Sequence, residues 1–297
     1  GALVPKMEMG KFAKERGLSS ETEHVIKMLT VMEKDRGLRK RPYASTIAYC
    51  PREAWMHANV LQGDKVLPPT LSLYQGIGNG VEERIVDSFE AHGNLLGKQV
   101  RMPNPPGTFK IESGGYIDMV ALNGNGKVAA YEIKTASSLP SSPKGRHLAQ
   151  AMAYGCLGGF DHVYVLYVER KVQNWPNPTP LVKAIELDVQ ALLPEYMTTI
   201  VLTGMAMHSH EAPMRPAHFR QSNECSYCPF VDACWNQEFR TRTPQASLQD
   251  RHAAERIAEE LIAMRPQFYK DSLTNALPTC PTNVRYKLEA ELKRVSA

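Results

Sequence analysis

The sequence contains no uninterrupted apolar run close to the roughly 20 residues that a membrane-spanning helix needs. Residues 1–10 also lack the continuous apolar core of a secretory signal. Charge of neither sign is in large excess, because 35 Lys and Arg residues stand against 31 Asp and Glu residues, for a net charge of +4. Whole-chain charge therefore does not by itself indicate a nucleic-acid partner. These absences predict a soluble cytoplasmic protein that makes no membrane contact.

Cysteine is scarce as well, with six residues in a chain of 297. That number is too small for a disulfide scaffold, and the sequence shows no secretory signal that would indicate an oxidising compartment. Three cysteines nevertheless fall within ten residues, as Cys225, Cys228 and Cys234, in the pattern C-x2-C-x5-C. Three thiolates form an incomplete tetrahedral set, so the spacing predicts a metal site with a fourth ligand from elsewhere. The candidates for that ligand are Cys50, Cys156, Cys280, His208, His210 and His218.

Apolar periodicity and turn signals predict an α/β chain in the order helix, three strands, helix, strand, followed by further helices. The predicted helices cover Ser20–Gly37, Leu71–Ala91, Gly145–Gly155, Val189–Met207 and Ser247–Arg265. Two short helical pieces are also predicted on either side of Pro51, since proline interrupts a helix. The predicted strands cover Leu95–Met102, Gly115–Leu122, Lys127–Thr135 and His162–Glu169. The absence of internal repeats favours one compact domain with appendages.

The second and third predicted strands form a hairpin that carries three charged residues. Asp118 lies in the middle of one strand, and Glu132 and Lys134 lie on the other. Because residues two apart in a strand point to the same face, Glu132 and Lys134 project together and Ile133 points the opposite way. Carboxylates held in this way bind Mg²⁺ or Mn²⁺, which prefer oxygen ligands. A solvated, salt-bridged face is the alternative interpretation, because Glu-x-Lys triplets are common.

Three motifs, in order and at close range, resemble the RecB-like branch of the PD-(D/E)XK nuclease superfamily. They are Gly115-Tyr116-Ile117-Asp118, Glu132-Ile133-Lys134 and Gln150-Ala151-Met152-Ala153-Tyr154. The resemblance implies a restriction-endonuclease-like core, in which helices flank a mixed central sheet. It also implies catalytic roles for Asp118, Glu132 and Lys134, with Gln150 and Tyr154 beside the active site.

In that family a helix before the hairpin supplies another metal ligand, usually the histidine of a G-x-x-x-H-E motif. Here the stretch reads Gly78-Asn79-Gly80-Val81-Glu82-Glu83, so Glu82 stands in the position of the histidine. Glu83 is the alternative ligand, and a solvated helix face is the alternative role for Glu82. The resemblance implies that Lys134 positions the attacking water. The metal ligands it implies are Glu82, Asp118, Glu132 and the carbonyl of Ile133.

Cys50 resembles the isolated first cysteine of the CRISPR-associated Cas-four family of iron–sulfur exonucleases. In those proteins one cysteine upstream of the nuclease core and three downstream bind a four-iron, four-sulfur cluster. The resemblance therefore implies a cluster that clips the N- and C-terminal helical segments together, with zinc as the alternative metal. The implied cluster ligands are Cys50, Cys225, Cys228 and Cys234.

The resemblance covers residues 41–240, which we assign to the nuclease domain. Residues 1–40 are predicted to be an N-terminal helical extension, and residues 241–297 a C-terminal helical tail. The implied function is a metal-dependent DNA exonuclease acting on single strands or DNA ends, in recombination, repair, phage replication or CRISPR adaptation. Arg52, Lys144 and Arg146 are the predicted DNA contacts.

Two alternatives to this function stay open from the sequence. One is a non-catalytic DNA-binding or assembly protein that docks a recombination or integrase partner through a nuclease-like fold. The other is a structural protein stapled by zinc. Neither the oligomeric state nor the cleavage polarity follows from the sequence.

Overall fold

The computed structural model describes residues 31–33, 38, 41–60, 65–67, 69–109, 111, 115–170, 182–221, 224–225, 228–236 and 239–297. The described strands are β1 (Val31–Glu33), β2 (Lys65–Leu67), β3 (Leu95–Arg101), β4 (Tyr116–Leu122), β5 (Val128–Ala136), β6 (Val163–Glu169) and β7 (Val182–Glu186). The described helices are α1 (Ala44–Ile47), α2 (Pro51–Asn59), α3 (Pro69–Ala91), α4 (Gly145–Cys156), α5 (Val189–Met207), α6 (Val231–Trp235), α7 (Pro244–Ala263), α8 (Arg265–Ala276) and α9 (Arg285–Ser296). None of these helices is long and apolar enough to cross a bilayer.

Strands β3 to β7 form one mixed sheet whose spatial order follows the chain order. The pairs β3–β4, β4–β5 and β6–β7 are antiparallel, whereas β5 and β6 are parallel. A parallel pair needs a crossover between its strands, and α4 supplies it here. The predicted α/β class is therefore confirmed at the level of a five-stranded mixed sheet flanked by helices.

The β4–β5 hairpin turns at Asn123-Gly124-Asn125-Gly126, as the Asn-Gly repeat predicts. Asn123 Oδ1 accepts hydrogen bonds from the backbone N–H groups of Asn125 and Lys127, each at 3.0 Å. Gly126 has a φ of +71°, a conformation that glycine adopts without steric cost. The turn sets a register in which Met119 pairs with Tyr131, and this register brings Asp118 to the level of Glu132.

Each face of the sheet is covered by a different set of helices. On one face Ile117, Ala130 and Val165 belong to a large buried cluster shared with α4 and α5. On the other face Met119 and Ile133 pack in a smaller cluster that includes Val86 of α3. Because the strand alternates, Glu132 lies on the α4 side and Ile133 on the α3 side, as predicted.

The C-terminal helices are tied to the sheet domain by a buried arginine at the start of α8. Arg265 Nε donates to the carbonyl oxygen of Gly155 at 3.0 Å, and Nη2 of the same side chain donates to the Phe160 carbonyl oxygen at 3.0 Å. Asp161 completes the arrangement as an ion-pair partner at 2.9 Å. Residues 38–60 and 82–297 accordingly form one compact unit.

Several elements differ from the sequence-based expectation. Val31–Glu33 is a strand paired with Lys65–Leu67, where periodicity predicted a helix over Ser20–Gly37. Residues 20–30 and 34–37 of that prediction lie outside the described part. Backbone pairing with a distant segment overrides a local helical pattern here. Strand β7 was not predicted at all. The helix predicted over Ser247–Arg265 ends at Ala263 and is followed by two more helices. The predicted domain boundaries at residues 40 and 240 stay predictions.

Candidate functional site

Three carboxylates come together where β4, β5 and α3 meet, from Asp118, Glu132 and Glu82. The β4–β5 ladder stops at the pair Met119–Tyr131, just before Asp118. Beyond that point the backbone N–H of Ile133 donates instead to Asp118 Oδ2, at 3.0 Å. The Asp118 side chain thus takes the place of a ladder carbonyl. This bond fixes Asp118 against the strand that carries Glu132.

Glu132 is fully buried and is held by two polar side chains. The hydroxyl of Tyr154 on α4 donates to Glu132 Oε2, and Lys134 Nζ contacts Glu132 Oε1. Gln150 Nε2 in turn lies 3.4 Å from the Tyr154 hydroxyl oxygen. A continuous chain of contacts therefore joins Gln150, Tyr154, Glu132 and Lys134. The structure brings together all four of these predicted site residues.

The carboxylates repel one another in a region that water reaches poorly. Burial, and next the charge of Glu132, raise the pKa of Asp118 to about 7 although Lys134 opposes them. Burial, and next Asp118, likewise raise the pKa of Glu82, and burial raises that of Glu132. Burial lowers the pKa of Lys134, but Glu132 and Asp118 outweigh it and hold this pKa above its ordinary value. Lys134 thus senses the charge of three carboxylates. Their oxygens are of the kind that a divalent cation prefers, but in the described structure these side chains do not stand close enough together to hold one.

Glu82 and its neighbour Glu83 occupy different environments. Glu82 is half-buried and senses the charge of Asp118, whereas Glu83 is exposed. The side-chain amide of Gln99 on β3 donates to Glu82 Oε1 at 2.6 Å. Sequence reasoning missed Gln99, because no periodicity or motif connects residues 82 and 99.

His147 is a second residue that sequence reasoning missed. The Tyr167 hydroxyl lies 2.9 Å from His147 Nδ1 and accepts the Lys144 backbone N–H at 3.1 Å. Burial, followed by the charge of Lys134, lowers the pKa of His147 to about 4, so the ring is neutral at pH 7. The spacing of His147 with Gln150 and Tyr154 places the three on one helix face, a signal that was available in the sequence.

A second cluster contains the four cysteines that were predicted to bind a metal. Cys50 immediately precedes α2, and Cys225, Cys228 and Cys234 come from the loop and short helix near residue 230. All four line one cavity of about 20 Å³, which is close to the room that one water molecule needs. Burial raises the pKa of the Cys50 thiol above its ordinary value and that of Cys228 to about 12. The residues that line this cavity come from two segments of the chain that are far apart in sequence.

The other candidates for the fourth ligand do not line the cysteine cavity. Cys156 and Cys280 are buried but do not line the cysteine cavity. His208, His210 and His218 line an adjoining groove of about 1170 Å³, and none of the three lines the cysteine cavity. In the described residues, no three His, Cys, Asp or Glu side chains stand close enough as they are to hold a metal ion. Of the open alternatives, the geometry therefore groups Cys50 with the C-x2-C-x5-C motif.

The three predicted DNA contacts have very different surroundings. Lys144 is exposed at the residue that precedes α4. Arg146 donates to both carboxylate oxygens of the buried Glu53, at 3.0 and 2.9 Å. Arg52 is buried and donates through Nη1 to the Pro213 carbonyl at 2.8 Å. Arg146 and Arg52 thus hold parts of the chain together, whatever else they contact.

Comparison with known proteins leaves the family unassigned. No protein-family model and no curated protein matches the chain. Among the solved structures that match is a crystal structure of SSO0001, with 18% identity and a TM-score of 0.39. That match covers 73% of this chain and 96% of the other. The similarity is too weak to support an argument about fold or function.

Proposed function

We propose that the protein is a divalent-metal-dependent DNA exonuclease of the PD-(D/E)XK superfamily, most similar to its RecB-like and Cas-four branches. One observation carries the proposal. A fully buried Glu132 contacts both Lys134 and Tyr154 beside two further carboxylates. The substrate would be single-stranded DNA or DNA ends, in recombination, repair, phage replication or CRISPR adaptation.

The main alternative for these residues is an ordinary salt-bridged face. Surface ion pairs are solvent-exposed and contribute little to stability. Glu132, by contrast, has no exposed surface, and Glu82 and Asp118 both interact with its negative charge. A fold does not gain stability by burying carboxylates that repel one another, and perturbed pKa values of this kind cluster at functional sites.

The chemistry of the donors suits Mg²⁺ or Mn²⁺, and Glu82, Asp118, Glu132 and the Ile133 carbonyl would hold the ion once the side chains draw closer together than they stand here. When bound, such an ion supplies Lewis-acid polarisation of a phosphate and acidifies water. Lys134 offers ammonium hydrogens that orient a water molecule or stabilise charge on a phosphate oxygen. Tyr154, supported by Gln150, holds Glu132 in one orientation. Lys144, exposed nearby on the chain, would contact the phosphate backbone.

An end-labelled DNA assay with and without metal tests this proposal. With Mg²⁺ or Mn²⁺ we expect stepwise shortening of single-stranded DNA, and with excess EDTA we expect none, because the carboxylates repel phosphate unless a cation offsets their charge. Substrates blocked at the 5′ or 3′ end report the polarity. DNA binding that never leads to cleavage at any metal concentration would instead favour the non-catalytic assembly protein.

We also propose that Cys50, Cys225, Cys228 and Cys234 bind a four-iron, four-sulfur cluster, with zinc as the alternative. Four thiols satisfy either group. The cavity is small as it stands, so a four-iron, four-sulfur cluster would need more room than the described side chains leave, and a single zinc ion would need less. A cluster would link α2 to the segment after α5.

Anaerobic purification distinguishes the two metals. We expect a brown protein that absorbs at about 400 nm, from thiolate-to-iron charge transfer, and that contains iron rather than zinc. Cys225→Ser is expected to lose most of the iron and the absorbance, since a hydroxyl is a poor ligand for iron. Cys156→Ala is the matched control, because that buried cysteine lies outside the cavity. A colourless protein with one bound zinc would overturn the cluster.

A further inference from the structure

Gln99 has a left-handed backbone, which is rare for a residue with a side chain. Its φ is +47°, and it is the single non-glycine residue with positive φ among those that the structure describes. Left-handed backbone is sterically unfavourable for a residue other than glycine, and such outliers concentrate at functional sites. The strain lies inside β3, in the middle of a strand rather than in a turn.

The strained residue lies opposite a predicted metal ligand. Lys98 pairs with Met119 and Val100 pairs with Ile117, so the register places Gln99 opposite Asp118 on β4. The side chain of Gln99 does not follow the regular alternation of the strand but reaches Glu82 Oε1 at 2.6 Å. One residue therefore adjoins Asp118 through its backbone position and Glu82 through its side chain.

The chemistry of an amide suits this position. A primary amide donates a hydrogen bond to one oxygen of Glu82 and leaves the other oxygen for a second partner. It carries no charge, so it does not neutralise the carboxylate as Lys or Arg would. A neutral donor thus orients a carboxylate without competing with a cation. Hydrogen-bond partners of metal-binding carboxylates act in this way, and losing one typically weakens metal affinity by about 10–100-fold.

We infer that Gln99 is a positioning residue that orients Glu82 for a divalent cation, and that β3 keeps its left-handed residue for this purpose. The inference rests on the proposed metal-dependent function. It adds a further side chain to the site and gives the strain in β3 a role.

Gln99→Gly separates strain from function. Glycine adopts φ +47° without steric cost but has no amide side chain. We expect an unchanged or higher melting temperature, together with about a 10-fold increase in the Mg²⁺ concentration for half-maximal cleavage. Excess Mg²⁺ is expected to recover most of the cleavage rate. Titration calorimetry with Mn²⁺ and no DNA is expected to show the same loss of affinity.

A second variant and a control complete the test. Gln99→Glu keeps the length of the side chain but replaces the hydrogen-bond donor with another carboxylate against Glu82. We expect the Mg²⁺ concentration for its half-maximal cleavage to be at least as high as that for Gln99→Gly. Lys98→Gln changes an exposed neighbour on the same strand and is expected to behave as wild type. Wild-type metal requirement in both Gln99 variants would overturn the inference alone. Absence of Mn²⁺ binding and cleavage in the wild type would overturn the proposed function and this inference together.

Discussion

Asp118→Asn is expected to reduce metal-dependent DNA cleavage by about 10³-fold or more, the scale of losing a group that acts on the transition state. The amide keeps an oxygen that accepts the Ile133 N–H, so the β4–β5 contact survives. It removes a negative charge from a site whose carboxylates raise each other's pKa. We therefore expect the melting temperature to stay equal or rise, since active-site residues are commonly held at a cost in stability.

Two measurements on the same preparations test this prediction. Single-turnover cleavage of labelled DNA gives the loss of activity, and thermal unfolding gives the stability. Glu83→Gln is the matched control, because it removes a carboxylate that is exposed beside Glu82. Cleavage by Asp118→Asn at a rate near wild type would remove Asp118 from the catalytic site. A large fall in melting temperature would show that Asp118 is structural.

Arg146→Ala is expected to lower the free energy of unfolding by about 3 kcal/mol, because it leaves the buried Glu53 carboxylate without its guanidinium partner. Glu53 is 4% exposed and accepts two hydrogen bonds from the guanidinium. Burial raises the pKa of Glu53, but hydrogen bonds from His57 and Arg146 outweigh it and hold this pKa below its ordinary value. The Arg146 guanidinium also lies 4.6 Å from the centre of the Tyr49 ring.

Urea unfolding followed by circular dichroism measures this effect. Lys144→Ala is the natural control, since both residues were predicted to contact DNA and lie two positions apart. We expect it to leave stability within about 0.5 kcal/mol of wild type, as for most exposed positions, and to weaken DNA binding. Equal stability of the two variants would show that the Arg146–Glu53 pair contributes nothing to the fold.

Much of the candidate site was predictable because its residues are close in sequence. The Asn-Gly turn determines the hairpin register, and strand alternation puts Glu132 and Lys134 on one face. Helical spacing puts Gln150 and Tyr154 on one face. The predicted strands of the hairpin agree with the observed ones to within a residue at each end. Local geometry thus accounts for most of the carboxylate–lysine cluster.

The predictions that were wrong or missing concern residues whose structural partners lie far away in the chain. Nothing near Val31 indicates that its backbone pairs with residues 65–67. Arg146 resembles a surface charge in the sequence, and only its distance from Glu53, 93 residues earlier, shows its structural role. The same holds for Arg52, whose acceptor belongs to Pro213. Basic residues are therefore the ones that sequence patterns assign least well.

By itself, the sequence determined the mixed α/β order, the hairpin and the identity of the groups that could hold a cation, because each follows from turn chemistry and from periods of 2 and 3.6 residues. Only the tertiary structure decided that Glu82 rather than Glu83 lies near Asp118, that Cys50 joins the three later cysteines, and that β3 bears a strained Gln99. Those features arise from packing between elements, where burial, charge and hydrogen bonding act between residues that the sequence does not place together.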